Sequence, residues 1–596
     1  MRNSYVIILS CVLFLAIAGC GGGSSTPPPP PPPPAISISP SSATVPLGGK
    51  QAFTAMGSGG AAVSVNWSVN GTTGGNNSVG TIDANGNYTA PANLPSPNTV
   101  TITAALQSDS SKTGTSMVTD VFPNDNAHMQ AVPVKLGTSG GNVNDSVTNG
   151  STITCCSGTL GALVQRNGTF FVLSNNHVLD KSDQGKAGDQ ISQPGLVDNN
   201  CNAGTPVATL TQAAALKPTN GTNGPAPSNV DAAIAQIISA ATVDTSGAIL
   251  DLGAQGASSI AAAPPSATLA IPATVLSTNE RVAKSGRSSG LTCSTLQSVS
   301  TMVSVDYSAA CGGAKAFTST FNNQVIVNGG NFSAVGDSGS LIVTADTARP
   351  VALLYGGNSN STTGNPISDV LGAFQSGANA ATIVGGADHV VSCAPTQAVN
   401  APTTTAATAS SSALTTEELD RARTIKEQFA AELMKDPAIL RVGVGVSDDN
   451  PKESAITLFL AGVPERQVPV QIEGVRTKLI FDVGQAPALT LQRITSAIAI
   501  KEARVRDLMG QEGIIGVGVG RSEDAPGDAA LVIYVEQGKF HSSIPAEIDG
   551  IRTKIIEGDR FRTFAWGREP KPVACKKPTN STKQTRIKQV IPTNQR

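Results

Sequence analysis

The sequence predicts a multidomain, mainly β protein that contains a β-sandwich, a double β-barrel and two repeated α+β modules, in that order. The chain has 596 residues, which is more than a single hydrophobic core accommodates. Only 14% of the residues are charged and 61 are glycine, a composition typical of β-rich domains with many loops. In addition, the motif that begins at Ile439 returns at Ile514, which indicates an internal repeat.

Residues 1–20 are predicted to be an export signal, with Arg2 ahead of a short apolar run, Tyr5–Ile17. The segment that ends in Cys20 resembles the lipobox of bacterial lipoproteins, which implies that Cys20 is lipidated. The run is shorter than the ~20 residues that a membrane-spanning helix requires. A plain secretory signal and a short membrane anchor are the alternatives to a lipoprotein signal. We therefore expect an exported protein, anchored by lipid in the bacterial cell envelope, at the outer membrane or the cell surface.

The next segment, 21–34, is a Gly/Ser/Pro-rich spacer whose proline tract favours stiff polyproline II. Residues 35–122 then show short alternating strands separated by turns, which predicts a β-sandwich with Trp67 in its core. The pattern VNWSVNG followed by GTIDANGNYTAP resembles bacterial immunoglobulin-like domains, which implies a spacer or adhesive module. This segment has no cysteine pair, so an antibody-type domain is not expected.

Cysteine usage agrees with export, because oxidising compartments allow disulfides. Once the cysteines of the signal and the lipidation site are set aside, an odd number remains, so at least one thiol is free or paired between chains. The favoured bridge joins Cys293 to Cys311, which bracket a hairpin-like stretch. A second bridge joins Cys201 to Cys155 or Cys156. No cysteine or histidine cluster has zinc spacing, so neither a metal site nor a cofactor is predicted.

Residues 130–393 form the largest predicted unit. Apolar stretches alternate there with Gly/Asn/Ser turns, and long helical periodicity is missing until near the end. This pattern predicts an all-β double barrel. A low-complexity linker, 394–415, follows it.

Two α+β modules, 416–482 and 487–566, are predicted from the internal repeat. Each has an amphipathic helix, a glycine-rich strand, a turn, a second strand and a final apolar edge, and we expect the two modules to pack as a pseudo-symmetric pair. In the motif GVGVG, glycine alternates with valine and no helix follows, which favours a β-strand over a dinucleotide-binding loop. A basic tail, 567–596, ends the sequence and is expected to be solvated.

The candidate chemistry centres on the tetrad GDSG at 336–339, directly before an apolar strand. A serine hydroxyl needs an imidazole to take its proton and a carboxylate to orient that imidazole. His177 ends one apolar run and Asp231 begins another, both ahead of Ser338. We therefore predict a catalytic triad of these three residues, with an oxyanion hole formed by the amides of Gly336 and Ser338. An α/β-hydrolase is not favoured, because its order is Ser, Asp, His.

The segments VLSNNHVL, NVDAAIA and VGDSGSLIV resemble the three catalytic blocks of the trypsin-like (chymotrypsin-fold) serine peptidases. The stretch that begins at Ala352 and the GVGVG modules are similar to the subgroup related to the plant narrow-leaf protein. This resemblance implies a double barrel of chymotrypsin type. It also implies a substrate pocket with Phe332 near its floor and Tyr355, Gly356 and Gly357 in its walls, which suits a small or apolar residue before the cleaved bond.

The sequence departs from that family's pattern in three places. No cysteine stands directly after His177, and Ser340 stands where the family usually has glycine. No activation site of the Arg-Ile-Val-Gly-Gly type is present. The last departure argues against activation by a freed N-terminus. It therefore also argues against the family's ion pair between that terminus and Asp337.

The sequence thus predicts a cell-envelope serine endopeptidase that hydrolyses polypeptides through an acyl-enzyme, with self-processing in the linker near Thr403 as a variant. The alternative is a non-catalytic surface adhesion or scaffold lipoprotein with an inactive peptidase domain. The net charge is −2, from 40 basic and 42 acidic residues, so nucleic acid is not an expected partner. The sequence leaves open whether the chain forms a homo-oligomer.

Overall fold

The computed structural model describes residues 36–121, 123, 125–216, 229–308, 311, 315–377, 379–393 and 414–563, together with the backbone of a strand at 574–576. The predicted signal peptide with Cys20, the proline-rich spacer, nearly all of the linker with Thr403 and most of the basic tail lie outside these residues. The chain has 45% strand and 12% helix, which confirms the prediction of a mainly β protein with several sheets. It divides into two compact units, Met1–Asp120 and Val121–Arg596.

The first unit consists of short strands. They are β1 Ser37–Ser39, β2 Ser42–Pro46, β3 Lys50–Ala52, β4 Thr54–Met56, β5 Val65–Val69, β6 Thr72–Thr73, β7 Gly75–Asn76, β8 Gly80–Ile82, β9 Asn87–Thr89, β10 Thr99–Leu106 and β11 Asp109–Val121. A five-stranded sheet has the order β2-β11-β10-β5-β6, and a four-stranded sheet has the order β3-β9-β8-β7. One hydrophobic cluster takes side chains from both sheets, among them Trp67 and Tyr88, so Trp67 occupies the core as predicted.

The second unit begins with the region for which a double barrel is predicted, and its strands are accompanied by short helices. They are β12 Thr138–Asn142, β13 Ser146–Asn149, β14 Thr152–Cys155, β15 Gly158–Leu160, β16 Ala162–Arg166, β17 Thr169–Ser174, α1 Asn176–Leu179, β18 Gln190–Gln193, a 3-10 helix Leu196–Asn199, β19 Thr205–Ala213, β20 Ala233–Ile237, α2 Pro272–Thr278, β21 Arg281–Gly286, β22 Gly290–Ser308, β23 Lys315–Asn328, β24 Leu341–Thr344, β25 Pro350–Gly357, β26 Ser361–Pro366, α3 Ile367–Ala373 and β27 Thr382–Ile383.

The first of the two main sheets in this unit is curled. Its order is β15-β12-β18-β19-β20-β17-β16-β27. Strands β15 and β16 lie near its opposite ends, yet only Gly161 separates them in the chain. The amide of Gly161 donates to Leu173 O on β17 (3.0 Å), so the sheet bends round to bring its two ends together.

The second main sheet contains a ring of six strands that is closed by hydrogen bonds. The ring runs β21-β24-β25-β26-β23-β22, and β22 pairs again with β21. Strands β24 and β25 are buried at every position, as expected for continuous apolar runs such as LIVT. The largest hydrophobic cluster includes Val172 and Leu173 from the curled sheet and Leu341 and Leu353 from the ring, so the two sheets share a core.

The described residues form three disulfides, Cys155–Cys201, Cys156–Cys311 and Cys293–Cys393. The predicted bridge between Cys293 and Cys311 is therefore wrong. Cys293 lies near the beginning of the long strand β22, whereas Cys311 lies just beyond its end. Since an extended strand rises about 3.3 Å per residue, the length of β22 keeps the two thiols apart. Of the two partners considered for Cys201, the structure selects Cys155.

The C-terminal repeats have matching element orders. The elements are α4 Thr416–Leu433, β28 Ile439–Val446, β29 Ser454–Leu460, β30 Gln471–Ile472, β31 Val475–Phe481, α5 Leu491–Met509, β32 Ile514–Arg521, β33 Ala529–Glu536, β34 Glu547–Ile548, β35 Ile551–Gly558, β36 Phe561–Thr563 and β37 Ala574–Lys576. The first repeat forms a separate sheet, β28-β29-β31-β30, and the second has the same order, β32-β33-β35-β34. The second sheet continues the ring, because β32 pairs with β22.

The two repeats contact each other through reciprocal hydrogen bonds. Ser447 Oγ donates to the Asp524 carboxylate, and at the corresponding positions Ser522 Oγ donates to Asp449. The amide of Asp448 donates to Asp524 Oδ1 (2.7 Å), and Glu523 N donates likewise to Asp449 Oδ1 (2.7 Å). Each of these hydrogen bonds made by one repeat therefore has a counterpart made by the other, as in a pseudo-two-fold pair.

The glycine-rich motifs lie in strands β28 and β32, as predicted. In β32 the glycines have a packing reason, because a Cβ atom added at Gly518 would lie 2.2 Å from Thr301 Oγ1. A Cβ atom at Gly520 would lie 2.4 Å from Gln297 O. Thr301 and Gln297 both belong to β22, so the glycines allow the second repeat to pair closely with the ring.

Candidate active site

His177 and Asp231 form a fully buried pair. His177 lies in the short helix α1, directly after β17, and Asp231 lies just before β20. His177 Nδ1 and Asp231 Oδ2 are 2.6 Å apart, and both side chains have 0% exposure. Since a carboxylate only accepts hydrogen bonds, this contact places the imidazole proton on Nδ1 and leaves the lone pair on Nε2.

The residues around this pair hold the Asp231 carboxyl group and backbone in place. The amide of His177 donates to Asp231 Oδ1 (3.2 Å), and Asn175 Nδ2 donates to Asp231 O (2.7 Å). Tyr307 Oη donates to Asp231 Oδ2 (2.8 Å). Asn365 Oδ1 accepts a hydrogen bond from Asp231 N (3.0 Å). Because Tyr307 and Asn365 belong to the ring, both main sheets contribute to the orientation of Asp231.

Sequence reasoning missed Tyr307, Asn175 and Asn365. Asn175 stands two positions before His177, and this proximity is the one signal in the sequence that could have pointed to it. Tyr307 lies on β22 and Asn365 on β26. Their contact with Asp231 depends on how the ring meets the curled sheet, which no local pattern encodes.

Ser338 lies in a tight turn between two glycines with positive φ, Gly336 at 99° and Gly339 at 96°. At Gly336 this φ would strain any residue with a side chain, and a Cβ atom there would also lie 2.4 Å from Ser288 Oγ. Among the described residues, the amides of Gly336 and Ser338 have no hydrogen-bond acceptor, whereas the amides of Asp337 and Gly339 are both bonded. Two free N–H groups therefore flank the Ser338 hydroxyl, as an oxyanion hole requires.

The curled sheet holds the Ser338 turn in place. Thr159 N donates to Ser338 O (2.8 Å), and Thr159 Oγ1 donates to Gly336 O (2.9 Å). A Cβ atom at Gly158 would lie 2.5 Å from Val178 Cγ2 and 2.9 Å from Ser338 O. Val178, the neighbour of His177, and the backbone of Ser338 therefore both lie close to Gly158.

The Ser338 hydroxyl and the imidazole are not hydrogen-bonded to each other in this structure. Ser338 Oγ donates instead to Tyr355 O (3.3 Å). His177 Nε2 is buried and has no hydrogen-bond partner within the described part of the chain. A buried, unpartnered ring nitrogen costs free energy, and such a nitrogen is a candidate proton acceptor.

Asp337, the neighbour of Ser338, forms a buried ion pair with Lys284. Lys284 Nζ lies 3.2 Å from Asp337 Oδ2, and both side chains have 0% exposure. The carboxylate also accepts from Ala334 N (2.8 Å) and Ser288 N (2.8 Å). Burial lowers the pKa of Lys284, and the Asp337 carboxylate acts in the opposite direction. An internal lysine thus provides the cation opposite Asp337.

Of the four predicted pocket residues, Tyr355, Gly356 and Gly357 are consecutive on β25, and Phe332 lies on a different segment of the chain, before the Ser338 turn. Phe332 is buried in a cluster with Val282 and Ile342, whereas Tyr355 is buried in a different cluster. Gly356 and Gly357 lie at the end of β25, and β36 pairs with them.

The described residues contain no group of three or more His, Cys, Asp or Glu side chains that could hold a metal ion. Within the same residues, no helix has the length and apolarity needed to cross a bilayer. No protein-family model matches the sequence, and no curated protein matches it either.

Proposed function

We propose that this protein is a serine endopeptidase whose curled sheet and ring are the two barrels of a chymotrypsin-type fold. The observation that carries the proposal is the buried contact of 2.6 Å between His177 Nδ1 and Asp231 Oδ2, with Nε2 unpartnered at the junction that also holds Ser338. In this arrangement Asp231 fixes the tautomer, His177 is the general base and Ser338 is the nucleophile.

The reaction begins when the Ser338 hydroxyl turns from the Tyr355 carbonyl toward His177 Nε2. The imidazole takes the hydroxyl proton while Oγ attacks the peptide carbonyl carbon, and the amides of Gly336 and Ser338 donate to the resulting oxyanion. The imidazolium then gives its proton to the leaving amine, which leaves an acyl-enzyme. Water, activated by the same imidazole, hydrolyses this ester and regenerates the serine.

The setting that we propose for this activity is the bacterial cell envelope, with a lipid anchor at Cys20 and an immunoglobulin-like first unit as spacer or adhesive module. The three disulfides of the second unit agree with an oxidising compartment. The resemblance to the subgroup related to the plant narrow-leaf protein supports a polypeptide substrate. The absence of an acidic residue at Phe332 supports a preference for a small or apolar side chain before the cleaved bond.

A fluorophosphonate, which reacts with activated serines, tests the proposal. We expect the full-length protein to be labelled and Ser338→Ala to be unlabelled, because the proposal assigns the activated hydroxyl to Ser338. Ser368→Ala, at an exposed position at the beginning of α3, is the matched control and should be labelled like the parent. A folded parent protein that stays unlabelled contradicts the proposal.

A second candidate is a surface adhesion or scaffold protein with an inactive peptidase domain. It is favoured by the hydrogen bond of Ser338 Oγ to Tyr355 O, which leaves the nucleophile and the base without a mutual contact. The same labelling experiment separates the two candidates.

A further inference from the structure

The edge of strand β25 leads directly away from the Ser338 turn. Leu354 pairs with the backbone of that turn, since Gly339 N donates to Leu354 O (2.8 Å) and Leu354 N donates to Ser340 O (3.0 Å). At the next residue, Tyr355 O accepts the bond from Ser338 Oγ. Gly356 and Gly357 follow and end the strand. If Ser338 is the nucleophile, an extended backbone that pairs with this edge of β25 lies next to its hydroxyl.

The chain's own strand β36 occupies the end of this edge. Thr563 lies opposite Gly356, and Arg562 lies opposite Gly357, in an antiparallel register. A Cβ atom at Gly356 would lie 2.4 Å from Arg562 O, so the two backbones approach as closely as glycine permits. Extended peptides bind proteins in this way, by adding a strand to an open sheet edge.

Several contacts fix β36 in this position. Phe561 is fully buried and packs edge-on against Tyr534, with 5.5 Å between the ring centroids. Arg560 forms ion pairs with Asp306 and Glu536, both at 3.1 Å. On its other side, β36 pairs in parallel with Val305 and Asp306 of β22. The strand is thus held between β22 and β25 and is part of the folded unit.

We infer that β36 occupies the edge of β25 to which a substrate would bind. In the folded chain, β36 therefore blocks the binding of extended polypeptides at this edge. This inference rests on the proposed function, because it assigns regulation to the same site. An incoming peptide must displace Arg562 and Thr563 from Gly356 and Gly357. A small reagent that needs only the Ser338 hydroxyl does not have to displace them.

The full-length variants Arg562→Pro and Arg562→Ala test the inference. Proline removes the backbone donor and is excluded from a strand with neighbours on both edges, whereas alanine changes only an exposed side chain. We expect Arg562→Pro to hydrolyse an unfolded polypeptide such as casein at least about tenfold faster than the parent, because the open edge is populated more often. Arg562→Ala should match the parent, and fluorophosphonate labelling should be similar in all three.

Hydrogen exchange at the amides of Gly356 and Gly357 provides the structural readout, together with the melting temperature. The inference predicts faster exchange in Arg562→Pro with the overall fold kept. It is overturned if exchange accelerates and Ser338 is labelled but casein hydrolysis does not increase. It is also overturned if Arg562→Pro leaves the exchange rates unchanged. If no variant is labelled, the proposed function fails and the inference fails with it.

Discussion

At the scale of single residues, the candidate site combines hydrogen-bonded polar groups with a few buried atoms that have no partner among the described residues. Asp231 accepts hydrogen bonds on both carboxylate oxygens, from His177 and Tyr307. Burial and the nearby Asp231 carboxylate raise the pKa of Tyr307 well above its usual range, so this hydroxyl stays protonated and donates at neutral pH. The unpartnered atoms include Asn175 Oδ1 and His177 Nε2, and in the proposed reaction Nε2 is the atom that accepts the proton.

The ion pair of Lys284 and Asp337 supports a prediction about stability and reactivity. Lys284→Met leaves the Asp337 carboxylate buried and uncompensated, which we expect to lower the free energy of unfolding by about 3–5 kcal/mol. Labelling of Ser338 should also slow, because Asp337 anchors the turn. Denaturant unfolding and labelling rates measure the two effects.

The double variant Lys284→Met/Asp337→Asn is the control for this prediction. It removes both charges, so it should recover most of the lost stability. A loss below about 1 kcal/mol in Lys284→Met, the level of an exposed ion pair, would mean that the buried pair does not hold the turn.

Sequence reasoning reached His177, Asp231 and Ser338 because each stands at the boundary of an apolar run and their order matches a known chemistry. It could not reach Lys284 or Tyr307. Both lie within ordinary strand sequences, and their roles arise only when strand pairing brings them to residues far away in the chain. Local patterns carry no information about such partners.

At the scale of elements, the repeats show how duplication can create a polar interface. The carboxyl group of Asp449 enters the turn of the second repeat and that of Asp524 enters the turn of the first. Sequence reasoning found the repeats because their motifs recur. It could not foresee that the second repeat extends the ring through β22 or that β36 returns to β25, since both depend on long-range pairing.

The interface carboxylates predict a pH dependence. Burial, and secondarily the Asp524 charge, raises the pKa of Asp449 to about 6 from its ordinary value of 3.8. The folded state therefore holds this proton more tightly than the unfolded state. The resulting stabilisation is complete below pH 3.8 and is lost as the pH rises through about 6.

Thermal unfolding of the parent and of Asp449→Asn, measured from pH 4 to pH 8, tests this dependence. The stability of the parent relative to the variant should fall with rising pH, by at most about 3 kcal/mol. Asn cannot titrate, so it serves as the reference at every pH. A difference that stays constant with pH would contradict the assignment.

At the scale of the whole second unit, the curled sheet, the ring and the second repeat are structurally connected. The two main sheets share a hydrophobic core, the ring sheet continues into the second repeat, and Cys156–Cys311 joins the region before β15 to the end of β22. The site lies where these parts meet, so its geometry depends on all of them. This explains why the mainly β class was predictable from composition and turns, while the disulfide pairing was not.

The central claim is that His177 activates Ser338. Its most direct test is the rate at which a fluorophosphonate modifies the full-length protein, with the modified serine located by peptide mass spectrometry, in the parent and in His177→Ala. We predict modification of the parent at Ser338 and a rate lower by about a thousandfold or more in His177→Ala. Equal rates in the two proteins, or modification of the parent at a different serine, would contradict the claim.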